Sequence, residues 1–192
     1  MKNVHEPTYS FVILTLILII IDTILAYASA KFIPADISGV AYIFPAVAFM
    51  ILFTLWFGAY GAIAAYTGTL VGSGLLVVQA FSDNPGVAVI WAGAGLLQVL
   101  IPLVAVRSFE VDLTLENRRD FTIILVFGVI INNLVGAAWG AWTLSLVQPA
   151  GGVFATWFIG NVIVTFLIVP LALRLFTGKI QKSKLFVKFY WE

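Results

Sequence analysis

Apolar residues in this chain come in continuous runs, and six of the runs approach the roughly 20 residues that a helix needs to cross a bilayer core of about 30 Å. They lie at about residues 9–27, 39–56, 60–78, 87–106, 121–142 and 156–176. A transmembrane β-barrel would instead show segments of about ten residues with alternating polarity. The first run, at about 19 residues, exceeds the roughly 7–15 residues of a signal-peptide core, so it reads as a membrane helix. The expected fold is all-α and integral to the membrane. Six transmembrane helices form a single compact bundle spanning 1–192, and the last of them is followed by a basic, aromatic, interfacial tail at 177–192.

The stretch 39–76 organises the rest. Two apolar arms meet at Phe57-Gly58-Ala59 with no charge between them, which predicts a tight helical hairpin. Its second arm carries Ala64, Gly68 and Gly72 at four-residue spacing, a ridge of small residues that lets another helix approach closely in lipid. The fifth helix carries Gly128, Asn132, Gly136 and Gly140 in the same register, a groove that either receives a helix or leaves room for a ligand. Pro45, Pro102 and Pro170 fall within helices 2, 4 and 6, where kinks packed in protein are expected.

Charge orients the bundle. With the N-terminus inside, nine of the ten basic residues flank the inner ends: Lys2, Arg107, Arg118, Arg119, Arg174, Lys179, Lys182, Lys184 and Lys188, leaving Lys31 outside. Both termini are then cytoplasmic, in a multi-pass protein of the cell membrane. The chain is 62% hydrophobic and 10% charged, against about 25% charged for a soluble domain. The net charge of +1 reflects this topology and offers nothing to nucleic acid. The inner segment 107–120 mixes four acids with Arg118 and Arg119 around Leu113 and Leu115, and reads as a solvated loop, a short interfacial helix or a docking surface.

Candidate chemistry gathers in the outer half. Asp22 lies about 20 Å along helix 1 from Tyr9, on one face with Thr15, Ala26 and Ser29, and that face must point inward. A carboxylate at such depth costs about 2.5–3.5 kcal/mol to insert, so it marks either a function or a protonated acid bonded to a neighbouring helix. Gln98, Asn132 and Asn133 lie nearer the midplane. Trp91, Trp139, Trp142, Trp157 and Asn161 lie further out, as either a headgroup belt or a pocket of aromatic faces with a few orienting polar groups. The expected ligand-binding set is Asp22, Gln98, Asn132, Trp139, Trp157 and Asn161. Asp22 would pair with a positive group, the tryptophans would stack, and the amides would hydrogen-bond. Polyanions fit poorly with one buried acid and no buried base. No cysteine is present, so thiolate metal sites and cysteine nucleophiles are excluded. His5 reads as part of an exposed tail, and no metal or cofactor is expected. The motifs of metalloproteases, serine hydrolases and nucleotide-binding loops are missing, so an enzyme is not expected. A channel would need polar residues across the full bilayer.

The hairpin FPAVAFMILFTLWFGAYGAIAAYTGTLVGSGLL resembles the helix 2 to 3 region of the substrate-binding S-components of energy-coupling factor vitamin transporters, with a proline, a short glycine turn and a small-residue helix. The stretch TWFIGNVIVTFLIVPLALRL is similar to the last helix of that fold, and equally to related membrane sensor domains of signalling proteins. The resemblance implies a six-helix subunit that binds a vitamin-like, neutral or cationic heterocyclic solute near the outer face. Such a subunit docks on a transmembrane coupling subunit driven by ATPases. That family pattern puts an Ala-x-x-x-Ala surface on the inner half of helix 1, where this chain reads FVILTLILII; Ala26 and Ala30 have the spacing at the outer end. The alternative expectation is a sensor or interaction domain of the same fold without transport. A chain ending soon after helix 6 suits the transporter, and one continuing into an effector suits the sensor.

Overall fold

Pro45 starts a helix instead of bending one. It stands at the first position of α2 (Pro45–Phe57), where its missing N–H is no loss. The residue before it, Phe44, takes an extended backbone with φ −120° and ψ 77°, as a following proline favours. The helix expected from 39 therefore begins at 45. The computed structural model describes residues 9–36 and 40–191; Lys2, His5 and the start of the expected second helix at Gly39 lie outside them.

The described residues form an all-helical bundle. α1 (Tyr9–Phe32) is followed by α2 and then by α3 (Ala59–Gly68), which continues as a π-helical segment, Thr69–Leu75. A short α4 (Gln79–Asp83) leads into α5 (Pro85–Ser108). The next rod is α6 (Arg118–Leu125), a second π-helical segment Val126–Ile131, and α7 (Asn132–Leu144), and the last is α8 (Val153–Ile180). Four helical rods are long and apolar enough to cross a membrane: Tyr9–Phe32, Pro85–Ser108, Arg118–Leu144 and Val153–Ile180. The two arms of the hairpin are shorter, α2 having 13 residues, about 20 Å of helix. Pro102 and Pro170 do lie inside α5 and α8.

The hairpin turns at Gly58, whose φ of 60° suits glycine and whose missing Cβ leaves room for the Tyr190 carbonyl oxygen. α3 and its π segment pack along α1. A Cβ at Gly68 would lie 2.7 Å from Cβ of Asp22, and Gly72 sits against the Thr23 carbonyl and Ala26. Small residues thus let the two backbones approach, and Asp22, Ala26 and Ser29 are buried on that face while Thr15 is half-buried. The outward face of α1, including Leu16, Ile17, Ile20 and Ile24, is exposed and apolar, as lipid requires.

The end bearing the arginines is built more tightly than its sequence suggests. The segment after α5 is neither loose nor helical. Leu113 and Leu115 are buried, and Asp120 accepts from the Asp112 N–H (3.1 Å) and from Asn117 Nδ2 (2.7 Å). The Asn117 side chain accepts in turn from the Asp120 N–H and caps α6. Arg119 Nη2 donates to the Phe109 carbonyl and Arg174 Nη2 to that of Leu115. The C-terminal tail also differs from a free interfacial segment. α8 runs on to Ile180, and the chain then folds back under the hairpin turn. The Val187 N–H donates to the Trp56 carbonyl (3.0 Å) and the Ala59 N–H to that of Tyr190 (2.9 Å). Arg107 Nη2 ties both parts together by donating to the carbonyls of Leu55 and Val187.

Candidate functional site

At the opposite end, where α3, α5 and α8 converge under the strand-like stretch before α2, a cavity is lined by Val40, Ala41, Phe44, Thr69, Ser73, Trp91, Gln98, Trp157 and Asn161. Its volume is about 20 Å3, room for about one water molecule. Ligand pockets for drug-sized molecules run from about 300 Å3 upward, so a whole heterocycle does not fit the cavity as it stands. Among the described lining residues none is charged, and all are buried except Phe44, which is half-buried.

Glycines seat the lining side chains. The side chain of Gln98 lies where a Cβ of Gly136 would be, the ring of Trp157 occupies the same space at Gly140, and the Thr69 hydroxyl lies against Gly95. The groove read along helix 5 therefore holds neither a helix backbone nor open space; it is filled by side chains from α5 and α8. A Cβ at Gly128, the first member of that series, would meet no side chain closer than 3.6 Å. The π segment Thr69–Leu75 supplies Thr69 and Ser73, and inserted turns of this kind recur at functional sites.

Donor and acceptor roles in the wall follow from the backbone. Thr165 Oγ1 donates to the Asn161 carbonyl (2.7 Å), so its lone pairs are what it offers Asn133. Asn133 accordingly presents Nδ2, which reaches both Thr165 Oγ1 (2.9 Å) and the Val129 carbonyl (2.8 Å). Its Oδ1 then faces α5 and accepts from Gln98 Nε2 at 2.7 Å. Gln98, which lines the cavity, keeps Oε1 and its second Nε2 proton. Three lining residues carry buried N–H donors without a partner: Trp91 Nε1, Trp157 Nε1 and Asn161 Nδ2. The two indoles meet edge to face, with centroids 5.8 Å apart. A buried unpaired polar group costs about 1–3 kcal/mol, so these three donors are hydrogen-bonding capacity that the described residues leave unmet at the cavity wall.

Of the residues expected to bind a ligand, Gln98, Trp157 and Asn161 line this cavity, while Asp22, Asn132 and Trp139 do not. Asp22 is fully buried between α1 and α3, and neither carboxylate oxygen has a partner among the described residues. Asn132 is likewise buried, with both side-chain polar atoms unpartnered. Trp139 is committed elsewhere: its Nε1 donates to the Ile90 carbonyl (2.7 Å) and its ring stands against Trp142 at 5.4 Å. The lining residues outside the expected ligand-binding set are Val40, Ala41, Phe44, Thr69, Ser73 and Trp91. Trp91 was legible, since it lies two helical turns before Gln98 on the same face of α5; Thr69 and Ser73 continue the register of the Gly68 and Gly72 ridge, one residue on.

A second hollow of about 570 Å3 lies at the arginine end, lined by Arg107, Glu110, Asp112, Gln181, Phe186 and Lys188 among others. Among the described residues no group of three histidines, cysteines or acids is placed to hold a metal. No family model, curated protein or solved structure matches the chain. The likeness to S-components therefore rests on the residues quoted for it.

Proposed function

We propose that the protein is a multi-pass cell-membrane protein with six spans and both termini cytoplasmic, and that it captures a small solute in the cavity at its outer end. The observation that carries this reading is the trio of buried, unpartnered N–H donors on Trp91, Trp157 and Asn161 around one cavity. The topology is supported by the four long apolar rods, by the two shorter ones of the hairpin, and by the basic side chains gathered at the end away from the cavity. The solute is taken to be neutral, because Asp22, the group meant to pair with a cation, does not line the cavity.

In this reading the chain serves as the solute-binding subunit of an energy-coupling factor type uptake transporter. The decisive experiment is native mass spectrometry of the detergent-purified protein under gentle activation. A stoichiometric small molecule, lost in Trp157→Ala and Asn161→Ala, is the expected result. Lipid alone, in wild type and variants alike, overturns it. One feature favours the alternative of a membrane sensor or interaction domain: the inner half of α1 exposes Val12, Ile13, Leu16, Ile17 and Ile20 where a coupling surface of small residues belongs. Co-purification with a coupling subunit and its ATPases separates the two.

A further inference from the structure

We infer that the cavity takes the amide-type end of an uncharged molecule: a carbonyl oxygen beside an N–H, as in a carboxamide, lactam or ureide. The inference rests on the solute-binding reading above and specifies the chemistry of that site.

Each wall group narrows the choice. Trp91 Nε1 and Trp157 Nε1 can only donate, so the occupant must bring an acceptor. A carbonyl oxygen, with two lone pairs, is the acceptor an indole N–H calls for. Gln98 gives one Nε2 proton to Asn133 and keeps Oε1, an acceptor that an occupant bearing a proton can use. A carboxylate has none to give and would be buried among lining residues of no charge, at heavy desolvation cost. An ammonium group offers protons but nothing for the indoles. An amide meets both demands in one planar unit, and Asn161 can complete it from either side of its own carboxamide. The present volume of about 20 Å3 is that of one water; a bound amide displaces that space outward. Phe44 is the half-buried member of the described lining, so the remainder of the solute leaves the site past its ring.

The test uses the full chain in detergent micelles, labelled with 15N-tryptophan, with the Trp91 and Trp157 indole N–H signals assigned through Trp91→Phe and Trp157→Phe. Acetamide, N,N-dimethylacetamide, acetate, methylammonium and 2-propanol are titrated separately. Acetamide should shift both indole signals saturably. N,N-dimethylacetamide keeps the carbonyl but lacks the proton for Gln98 Oε1, and should bind about tenfold more weakly, the worth of one hydrogen bond. Gln98→Leu should erase that difference; the two amides on the wild-type protein test the same point if this variant does not fold. Tighter binding of acetate or methylammonium, or 2-propanol matching acetamide, overturns the amide assignment while leaving the site standing. No movement of either indole with any probe overturns the site itself.

Discussion

Gly136→Ala and Gly128→Ala are the same chemical change two turns apart on one rod, yet the structure gives them opposite signs. At Gly136 the new methyl falls on the Gln98 side chain, with Nε2 2.9 Å away and the carbons closer still. Gln98 must swing aside, and its 2.7 Å bond to Asn133 Oδ1 breaks. Overpacking costs about 1–3 kcal/mol, and stranding a buried acceptor costs about 1–3 more. Replacing a helical glycine by alanine returns about 1 kcal/mol, so the net loss is about 1–5 kcal/mol. At Gly128 the nearest atoms are 3.6 and 3.7 Å from the new methyl, ordinary contact, and the propensity gain of up to about 1 kcal/mol remains. Unfolding followed by tryptophan fluorescence, at fixed detergent, measures both. Gln98→Ala supplies the control, because it removes the obstacle: adding Gly136→Ala to it should cost nothing further, a coupling visible in a double-mutant cycle. Equal stability of the two single variants, or additivity in the cycle, would refute the packing account and the donor assignment of Gln98 built on it.

Three further outcomes follow from other parts of the molecule. Asp22→Asn should leave the bundle at least as stable as wild type, since neither carboxylate oxygen has a partner among the described residues; a loss above about 1 kcal/mol would reveal a bond of the kind that strands a buried group. Val187→Asp puts a carboxylate into a fully buried position and should release the tail from the hairpin turn. Trypsin should then cut at Lys182, Lys184 or Lys188 much faster than in wild type, while the rods stay intact. Outside the spans, the Tyr42 hydroxyl donates to Asp36 Oδ2 at 2.8 Å, and that bond, with the aspartate charge, raises the Tyr42 phenol above its ordinary value of 10.0. A raised phenol contributes stability that is complete below the unfolded value and is lost as pH climbs through the folded one. Ultraviolet titration should therefore show one tyrosine ionising late in wild type and at its ordinary pH in Asp36→Asn.

Helical rods were legible because burial in lipid demands long apolar runs, and the buried face of α1 because Asp22, Ala26 and Ser29 share one side of it. Gln98, Trp157 and Asn161 stood out as polar or amphipathic groups at depth. The shortfalls share one physical origin: they depend on a partner across the bundle. Nothing in the run 121–142 tells Trp139 to place its N–H on the Ile90 carbonyl, and nothing in GKIQKSKLFVKFYWE shows that Val187 pairs with Trp56. Pro45 is different, since the rule for the residue before a proline was available, and an apolar run beginning six residues earlier concealed it.

The two ends of the bundle also divide its energetics. At the arginine end, backbone carbonyls at Leu55, Phe109, Leu115 and Val187 all receive guanidinium protons, and the tail closes the hairpin turn by two backbone bonds. That end is stapled, although Arg107 Nε and Thr114 Oγ1 are buried there without partners among the described residues. At the cavity end the network through Thr165, Asn133 and Gln98 is satisfied up to the wall and then stops, with donors on Trp91, Trp157 and Asn161 left over. A phenylalanine in place of either tryptophan would keep an aromatic ring and remove a donor that costs about 1–3 kcal/mol unpaired. Each exchange also leaves a smaller ring in a buried position, so its sign reports whether the unmet donor or the lost packing costs more.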